Sequence, residues 1–199
     1  MKLVLASNNP GKLREIRAML APRALEVLAQ GELGIPEAEE PHDSFVENAL
    51  AKARHASRAA SLPALADDSG LCVDALGGAP GVHSAYYAGR EGDRETRDAR
   101  NNRKLLAELK DNRKAFYICV IVLVRNPEDA NPLVAEGVWH GEIARAPRGS
   151  NGFGYDPLFL IPALNKTAAE LDAATKNRLS HRGQALAKLL ELIDGADFR

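Results

Sequence analysis

Asp67-Asp68-Ser69-Gly70 follows the apolar run Ala64-Leu65-Ala66, so two adjacent acids stand at a strand end with side chains on opposite faces. Paired acids in that position suit Mg²⁺, which takes one or two carboxylates and completes its shell with water and phosphate oxygens. For the tetrapeptide alone, a turn in which Asp caps backbone donors is the plainer reading. Glu39-Glu40, just before Pro41, adds candidate ligands from a carboxylate-rich connection. Ser7-Asn8-Asn9-Pro10-Gly11-Lys12 gathers backbone N–H groups, a helix start and an ammonium at one point, an arrangement that holds phosphate. It is not a Walker A loop, because Ala6 and Leu13 stand where that motif requires Gly and Ser/Thr. A helix cap with a solvated lysine is an equally good reading of the hexapeptide.

Gly152-Phe153-Gly154-Tyr155-Asp156-Pro157 sets two aromatics among glycines, which lets backbone and ring approach a flat ligand; a turn whose aromatics plug the core is the alternative. Ser180-His181-Arg182, with Lys176 nearby, supplies donors suited to purine oxygens or phosphate. Arg182 beside His181 argues against deep burial of the pair. Lys52 and the loop 77–81 each have a plain reading, a solvated residue and a simple turn. The charged run 94–103 reads as a solvated helix face. Neither G-x-S-x-G nor H-E-x-x-H occurs.

Positioning these groups requires a folded core, and 199 residues with 45% hydrophobic and 27% charged content supply one domain's worth. That composition excludes a disordered, collagen-like or disulfide-stapled chain. A net charge of -1 gives no global basic field for nucleic acid. A polyanionic ligand then needs a local cationic site. Cys72 and Cys119 lie in apolar runs without metal-ligand spacing, which points to buried thiols in a reducing, cytoplasmic setting. No stretch approaches the roughly 20 apolar residues of a membrane span.

Hydrophobic spacing predicts a strand over 3–6, a helix from Lys12 to near Pro22 and a strand over 25–28. A long helix follows from its Ser44 cap to about Ser61, with a small-residue stripe of Ala49, Ala53, Ala56 and Ala60. Asn48 and Lys52 stack on another face of it. Short strands over 64–66 and 71–73 flank the acidic turn. Residues 116–124 form the strongest strand, apolar on both faces and so central in the sheet, with 133–143 as its neighbour. A helical patch near 168–174 and a final helix from about Ser180 close the chain. Strands and helices mix without strict alternation, which predicts an α/β chain with a mixed sheet.

Six blocks in this order carry a resemblance: Leu5-Ala6-Ser7-Asn8-Asn9-Pro10-Gly11-Lys12; Phe45-Val46-Glu47-Asn48-Ala49 with Lys52-Ala53; Ala66-Asp67-Asp68-Ser69-Gly70-Leu71; Gly77-Gly78-Ala79-Pro80-Gly81-Val82; Gly152-Phe153-Gly154-Tyr155-Asp156-Pro157; and Ser180-His181-Arg182-Gly183. Together they resemble the non-standard purine nucleoside triphosphate pyrophosphatases, the inosine/xanthosine triphosphatase family, over nearly the whole chain.

The resemblance implies one domain over 1–199, built on a long mixed β-sheet flanked by helices, with two lobes around an active-site cleft. It implies a cytoplasmic homodimer that uses Mg²⁺ to hydrolyse ITP, dITP and XTP to the monophosphate and pyrophosphate, with no nucleic-acid or membrane partner. By position, Ser7, Asn8, Asn9, Pro10, Gly11 and Lys12 would hold the triphosphate and Lys52 would add positive charge. Asp68 would be the general base and a metal ligand. Glu40, preferred over Glu39 from its spacing to Phe45, would be the other ligand, and Asp67 is a further candidate. Ser69, Phe153, Gly154, Tyr155, Asp156, Lys176, His181 and Arg182 would line the nucleoside pocket, with Phe153 stacking on the base. A Maf-like nucleotide pyrophosphatase and a non-hydrolysing nucleotide-binding module are the competing readings, although the Ser-Pro-Arg-Arg-like Maf opening is absent here.

Overall fold

Helix starts and stops follow local chemistry. In the computed structural model, which describes residues 2–23 and 25–195, β1 (Lys2–Leu5) runs into Asn9, whose side chain caps α1 (Pro10–Leu20) with proline at its first position. After β2 (Glu26–Ala29), Ser44 caps α2 (Phe45–Ala60), which stops at Ser61 in the left-handed region. β3 (Ala64–Val73) is followed by α3 (Arg94–Glu108), capped by Asp93. β4 (Lys114–Val124), β5 (Leu133–Ile143), β6 (Phe159–Ile161) and β7 (Lys166–Thr167) precede α4 (Ala173–Leu179) and α5 (His181–Gly195).

The seven strands hydrogen-bond in the order β2-β1-β3-β4-β5-β6-β7. β1 pairs in parallel with β2 and β3, whereas β6 pairs antiparallel with β5 and β7, so the sheet is mixed and flanked by helices, as expected. β4 is central. The chain divides into two compact units: unit 1 holds residues 1–68, 119–137 and 181–199, and unit 2 holds residues 69–118 and 138–180.

In unit 1, β4 alternates strictly. Cys119, Ile121 and Leu123 join Leu3, Leu5, Leu65, Ile16, Leu20, Leu186 and Leu189 in one apolar cluster, which draws on α1 and α5. Val120, Val122 and Val124 join Ala49, Ala53 and Ala56 of α2 in a second. The period of two thus assigns each β4 side chain to one helix layer or the other. The small stripe on α2 lets that helix lie close to the sheet, as its spacing predicts. Unit 2 has one cluster centred on Trp139, Tyr117 and Phe159; the Phe159 ring lies 4.6 Å from Tyr117 and 5.0 Å from Trp139 between centroids.

The acidic tetrapeptide differs from expectation. Instead of two short strands around a turn, β3 continues unbroken through Asp67, Asp68, Ser69 and Gly70. Both carboxylates are buried against cations, so neither has to leave the strand to reach water. Gly70 lacks a side chain because the Gly81 carbonyl and Ser84 hydroxyl occupy the place where a Cβ would stand. Ser84 accepts from the Leu71 N–H at 2.9 Å and donates to the Gly81 carbonyl at 2.6 Å. The helical patch near 168–174 resolves into a 3-10 turn, Ala168–Glu170, and α4, separated because Asp172 caps α4.

Candidate active site

Strand alternation divides the two acids. Asp67, 1% exposed, points to one side, where Lys12 Nζ lies 2.9 Å from Oδ2 and the Arg182 guanidinium donates to the same oxygen at 3.2 and 3.3 Å. Glu15 takes another Arg182 donor at 2.5 Å. Burial alone opposes ionisation of Asp67, but Lys12, Arg182 and Lys52 outweigh it and hold the carboxyl far below its ordinary range. Asp67 is therefore a fixed anion that anchors two cations.

Asp68, 6% exposed, belongs to a different constellation. Its Oδ1 lies 2.9 Å from Lys52 Nζ, which lies 2.6 Å from Glu40 Oε1. Burial pushes the Asp68 carboxyl above the ordinary range, against the opposing pull of Lys52 and Lys12. For Lys52, burial disfavours the charge, yet Asp68, Glu40 and Asp67 prevail and hold the ammonium above the usual lysine range. The two neighbouring acids are thus pushed in opposite directions, one towards permanent charge and the other towards proton exchange. Glu40, rather than Glu39, is the acid that meets Lys52, which agrees with its spacing to Phe45.

Asn48 ties this cluster to its loop. One turn before Lys52 on α2, it is 2% exposed and grips the His42 backbone from both sides: its Oδ1 accepts the His42 N–H at 3.1 Å and its Nδ2 donates to the His42 carbonyl at 2.9 Å. Nδ2 also lies 3.5 Å from Asp68 Oδ2. The acidic loop that carries Glu40 is thereby fixed to the helix that carries Lys52.

The turn at 7–12 forms the expected helix start. Asn9 Oδ1 accepts from Gly11 N at 3.0 Å and Lys12 N at 3.2 Å, and Asn9 N donates to Ser7 Oγ at 3.2 Å. The amides of Gly11 and Lys12 are thus taken by the cap. Gly31 lets the Asn8 side chain lie against the backbone: a Cβ there would stand 2.8 Å from Asn8 Oδ1.

In unit 2, residues 152–156 form a tight turn. Asp156 Oδ2 accepts the Phe153 N–H at 2.8 Å and meets Lys176 Nζ at 2.5 Å. Lys176 Nζ lies 4.8 Å from the centroid of the Phe153 ring, and the Arg94 guanidinium carbon 4.9 Å. Cations over an aromatic face are favourable at such distances. Gly152 is in the left-handed region, and the Asp156 carboxylate fills the space of its missing Cβ. Tyr155 is core: its ring is buried and its hydroxyl donates to the Ser84 carbonyl at 2.8 Å. Ser69 is the one residue of β3 that is not fully buried.

Two expectations are corrected. Arg182 is 2% exposed and His181 5%, so neighbouring charge did not keep the pair at the surface; Glu15 and Asp67 neutralise the guanidinium and make its burial affordable. The run 94–103 is not merely a solvated face. Asp98 and Asn102 contact the Gly154 backbone, while Asn101, 2% exposed, caps backbone groups of Ser84, Ala85 and Ala88. Sequence reasoning missed Glu15, Asp98 and Asn102. The i, i+4, i+8 spacing of Arg94, Asp98 and Asn102 was the available signal. Both cysteines are free and buried; burial pushes Cys72 up to about 11 and, with Asp67 adding to it, Cys119 up to about 12. Neither is a thiolate nucleophile at neutral pH.

The chain is similar to known proteins over nearly its whole length. Residues 3–192 match the Ham1 family. The chain is 65% identical over 192 residues to a Ralstonia nicotianae protein named dITP/XTP pyrophosphatase, covering 96% of this chain and 95% of that one. A Burkholderia pseudomallei protein of the same name is 61% identical, covering 95% and 91%. Among solved structures, a HAM1 protein from Coxiella burnetii superposes with a TM-score of 0.88 at 48% identity, covering 98% of this chain and all of that one. The Staphylococcus aureus Ham1 protein gives 0.84 at 38%, covering 98% and 99%.

Proposed function

The chain belongs to the Ham1 family, and from that membership we propose that it is a nucleoside triphosphate pyrophosphatase acting on the non-standard purine nucleotides ITP, dITP and XTP. The observation that carries the chemistry is the contact of Asp68 and Glu40 with one lysine, Lys52, beside a helix start that bears Lys12.

In this reading Asp68 accepts a proton from a water molecule whose oxygen attacks the α-phosphorus. The bond from that phosphorus to the bridging oxygen breaks, and pyrophosphate leaves with the electron pair. A carboxylate that burial pushes above its ordinary range is a stronger base and suits this task. Lys12 and Lys52 stabilise the charge on the leaving group, and the backbone and side chains of residues 7–12 hold the triphosphate. We assign Glu40 and Asp68 as ligands of Mg²⁺, which when bound would neutralise phosphate oxygens. Both carboxylates reach one ammonium, so one cation can be shared between them, and Mg²⁺ needs no third protein carboxylate.

Phe153 stacks on the base, with Gly154, Tyr155 and Asp156 shaping its turn, and Ser69 and Lys176 complete the nucleoside contacts. His181 and Arg182 donate to O6. Burial and two carboxylates hold the Arg182 guanidinium rigid, which suits a donor that must discriminate a 6-keto from a 6-amino purine. An adenine amino group facing such donors leaves them unpaired, at a cost of about 1 to 3 kcal/mol.

The reading further assigns a homodimer in the cytoplasm. Two free, buried thiols support a reducing compartment, and no helix among the described residues is long and apolar enough to cross a membrane. Light scattering of the purified protein tests the dimer. Incubation with ITP, XTP, GTP and ATP, with and without Mg²⁺, tests the activity. The expected products are the monophosphate and pyrophosphate from ITP and XTP only in the presence of Mg²⁺; orthophosphate with inosine diphosphate overturns the reading.

A further inference from the structure

Phe153 is flanked by glycines, and the Asp156 carboxylate fills the place a Cβ of Gly152 would take. Gly154 has a φ of 64°, and no atom lies within 4 Å of the position its Cβ would take, so the turn has no steric wall of its own there. Hydrogen bonds hold the backbone on both sides of the ring. The peptide before Phe153 is fixed because Asp156 accepts the Phe153 N–H at 2.8 Å. The peptide after it is fixed from α3, where Asp98 Oδ2 accepts the Gly154 N–H at 3.0 Å. One turn further along α3, Asn102 Nδ2 donates to the Gly154 carbonyl at 2.9 Å and fixes the next peptide plane. Carboxylates therefore hold both peptides that join at the Phe153 Cα, and these determine its φ and ψ.

We propose that Asp98 and Asn102 are positioning residues for base recognition: from α3 they clamp the Gly154 backbone and so present the Phe153 ring in the orientation that a purine stacks upon. Arg94, one turn before Asp98, belongs to the same device. Its guanidinium lies over the Phe153 ring and its Nε lies 3.7 Å from Asp98 Oδ2, so one carboxylate orients both the loop and the cation above the ring. Asp98 and Asn102 touch no reacting group in this scheme. They spare the nucleotide the entropy of ordering a glycine-rich turn, so their loss appears in binding and not in the chemical step. The inference rests on the assignment of Phe153 as the base platform.

Steady-state kinetics with ITP test it. Asp98→Ala is expected to raise KM about tenfold with kcat within about twofold, the signature of lost binding organisation. Asn102→Ala, which removes one neutral hydrogen bond, is expected to raise KM about threefold. Asp98→Asn keeps an oxygen acceptor for the Gly154 N–H and is expected to restore most of the wild-type KM. In a Phe153→Ala background, Asp98→Ala is expected to add nothing, because both act through one ring. A fall in kcat at unchanged KM, equal KM for Asp98→Asn and Asp98→Ala, or full additivity with Phe153→Ala overturns the proposal. Should Asp98→Ala melt early, Asn102→Ala and Asp98→Asn carry the same comparison. Wild-type protein that fails to turn over ITP overturns the proposed function and this inference with it, whereas turnover with wild-type KM in the α3 variants overturns this inference alone.

Discussion

The two units build their chemistry from opposite materials. Unit 1 uses charge: Asp67, Asp68, Glu15 and Glu40 interlock with Lys12, Lys52 and Arg182, most of them buried. Unit 2 uses backbone: a glycine-rich turn held by Asp98, Asn102 and Asp156, with the Phe153 ring proposed as the platform for the base. Buried charge is costly unless it is paired, so stripping a buried cation of unit 1 of its anion is expected to cost stability. A clamped glycine turn is held by several modest bonds, each removable at small cost. Chemistry on a phosphate needs fixed charge, and a base can be held by a surface that is merely oriented.

That contrast breaks most sharply at Asp68. Asp68→Asn removes the proposed base without changing shape, and turnover of ITP is expected to fall by about 10²- to 10⁴-fold while nucleotide binding by calorimetry survives. Wild-type turnover in this variant removes Asp68 from the mechanism.

Next in size is Asp67→Asn, which leaves Arg182 and Lys12 without their anion. Denaturant unfolding at pH 7 is expected to show a loss of about 3 to 5 kcal/mol. The sign with pH follows from the depressed carboxyl: its contribution is fully present above the unfolded-state value of about 3.9 and is lost as pH falls below it. The wild-type and Asp67→Asn stabilities should therefore converge under acid conditions and remain apart at neutral pH.

In unit 2, Phe153→Ala removes the ring and leaves the clamp. Stacking of a base on an aromatic is worth about 1 to 3 kcal/mol, so KM for ITP is expected to rise by about 5- to 150-fold with thermal stability little changed. A large loss of stability would mean that the ring is part of the core.

The smallest effect separates neighbours in unit 1. Glu40→Gln is expected to raise the Mg²⁺ concentration for half-maximal rate about tenfold, because one of two ligand charges is lost. Glu39→Gln is expected to leave it unchanged, and equal effects of the two would dissolve the pairing of Glu40 with Lys52.

Much of this was legible in the sequence. The α2 stripe of alanines, the apolar β4 and the Asn9 and Ser44 caps are local patterns, and each stands where its periodicity or chemistry puts it. The unbroken β3 was not legible, because Asp-Asp-Ser-Gly carries turn residues and only distant cations make it a strand. The clamp from α3 was hidden for a related reason: a charged helix face looks alike whether it meets water or a loop about 50 residues away in sequence.

By itself the sequence determined the candidate groups and the order of the motifs, and, for a strand through Asp67 and Asp68, that the two acids face opposite ways, since alternation along a strand is a property of the backbone. Only the tertiary structure decided which charged groups meet each acid. Arg182, 115 residues away, comes with Lys12 to Asp67 and fixes its charge, whereas Lys52 and the Glu40 loop come to Asp68. Nothing in Asp-Asp distinguishes the two carboxyls chemically. Their pKa values part because packing brings different charges to the two faces of one strand.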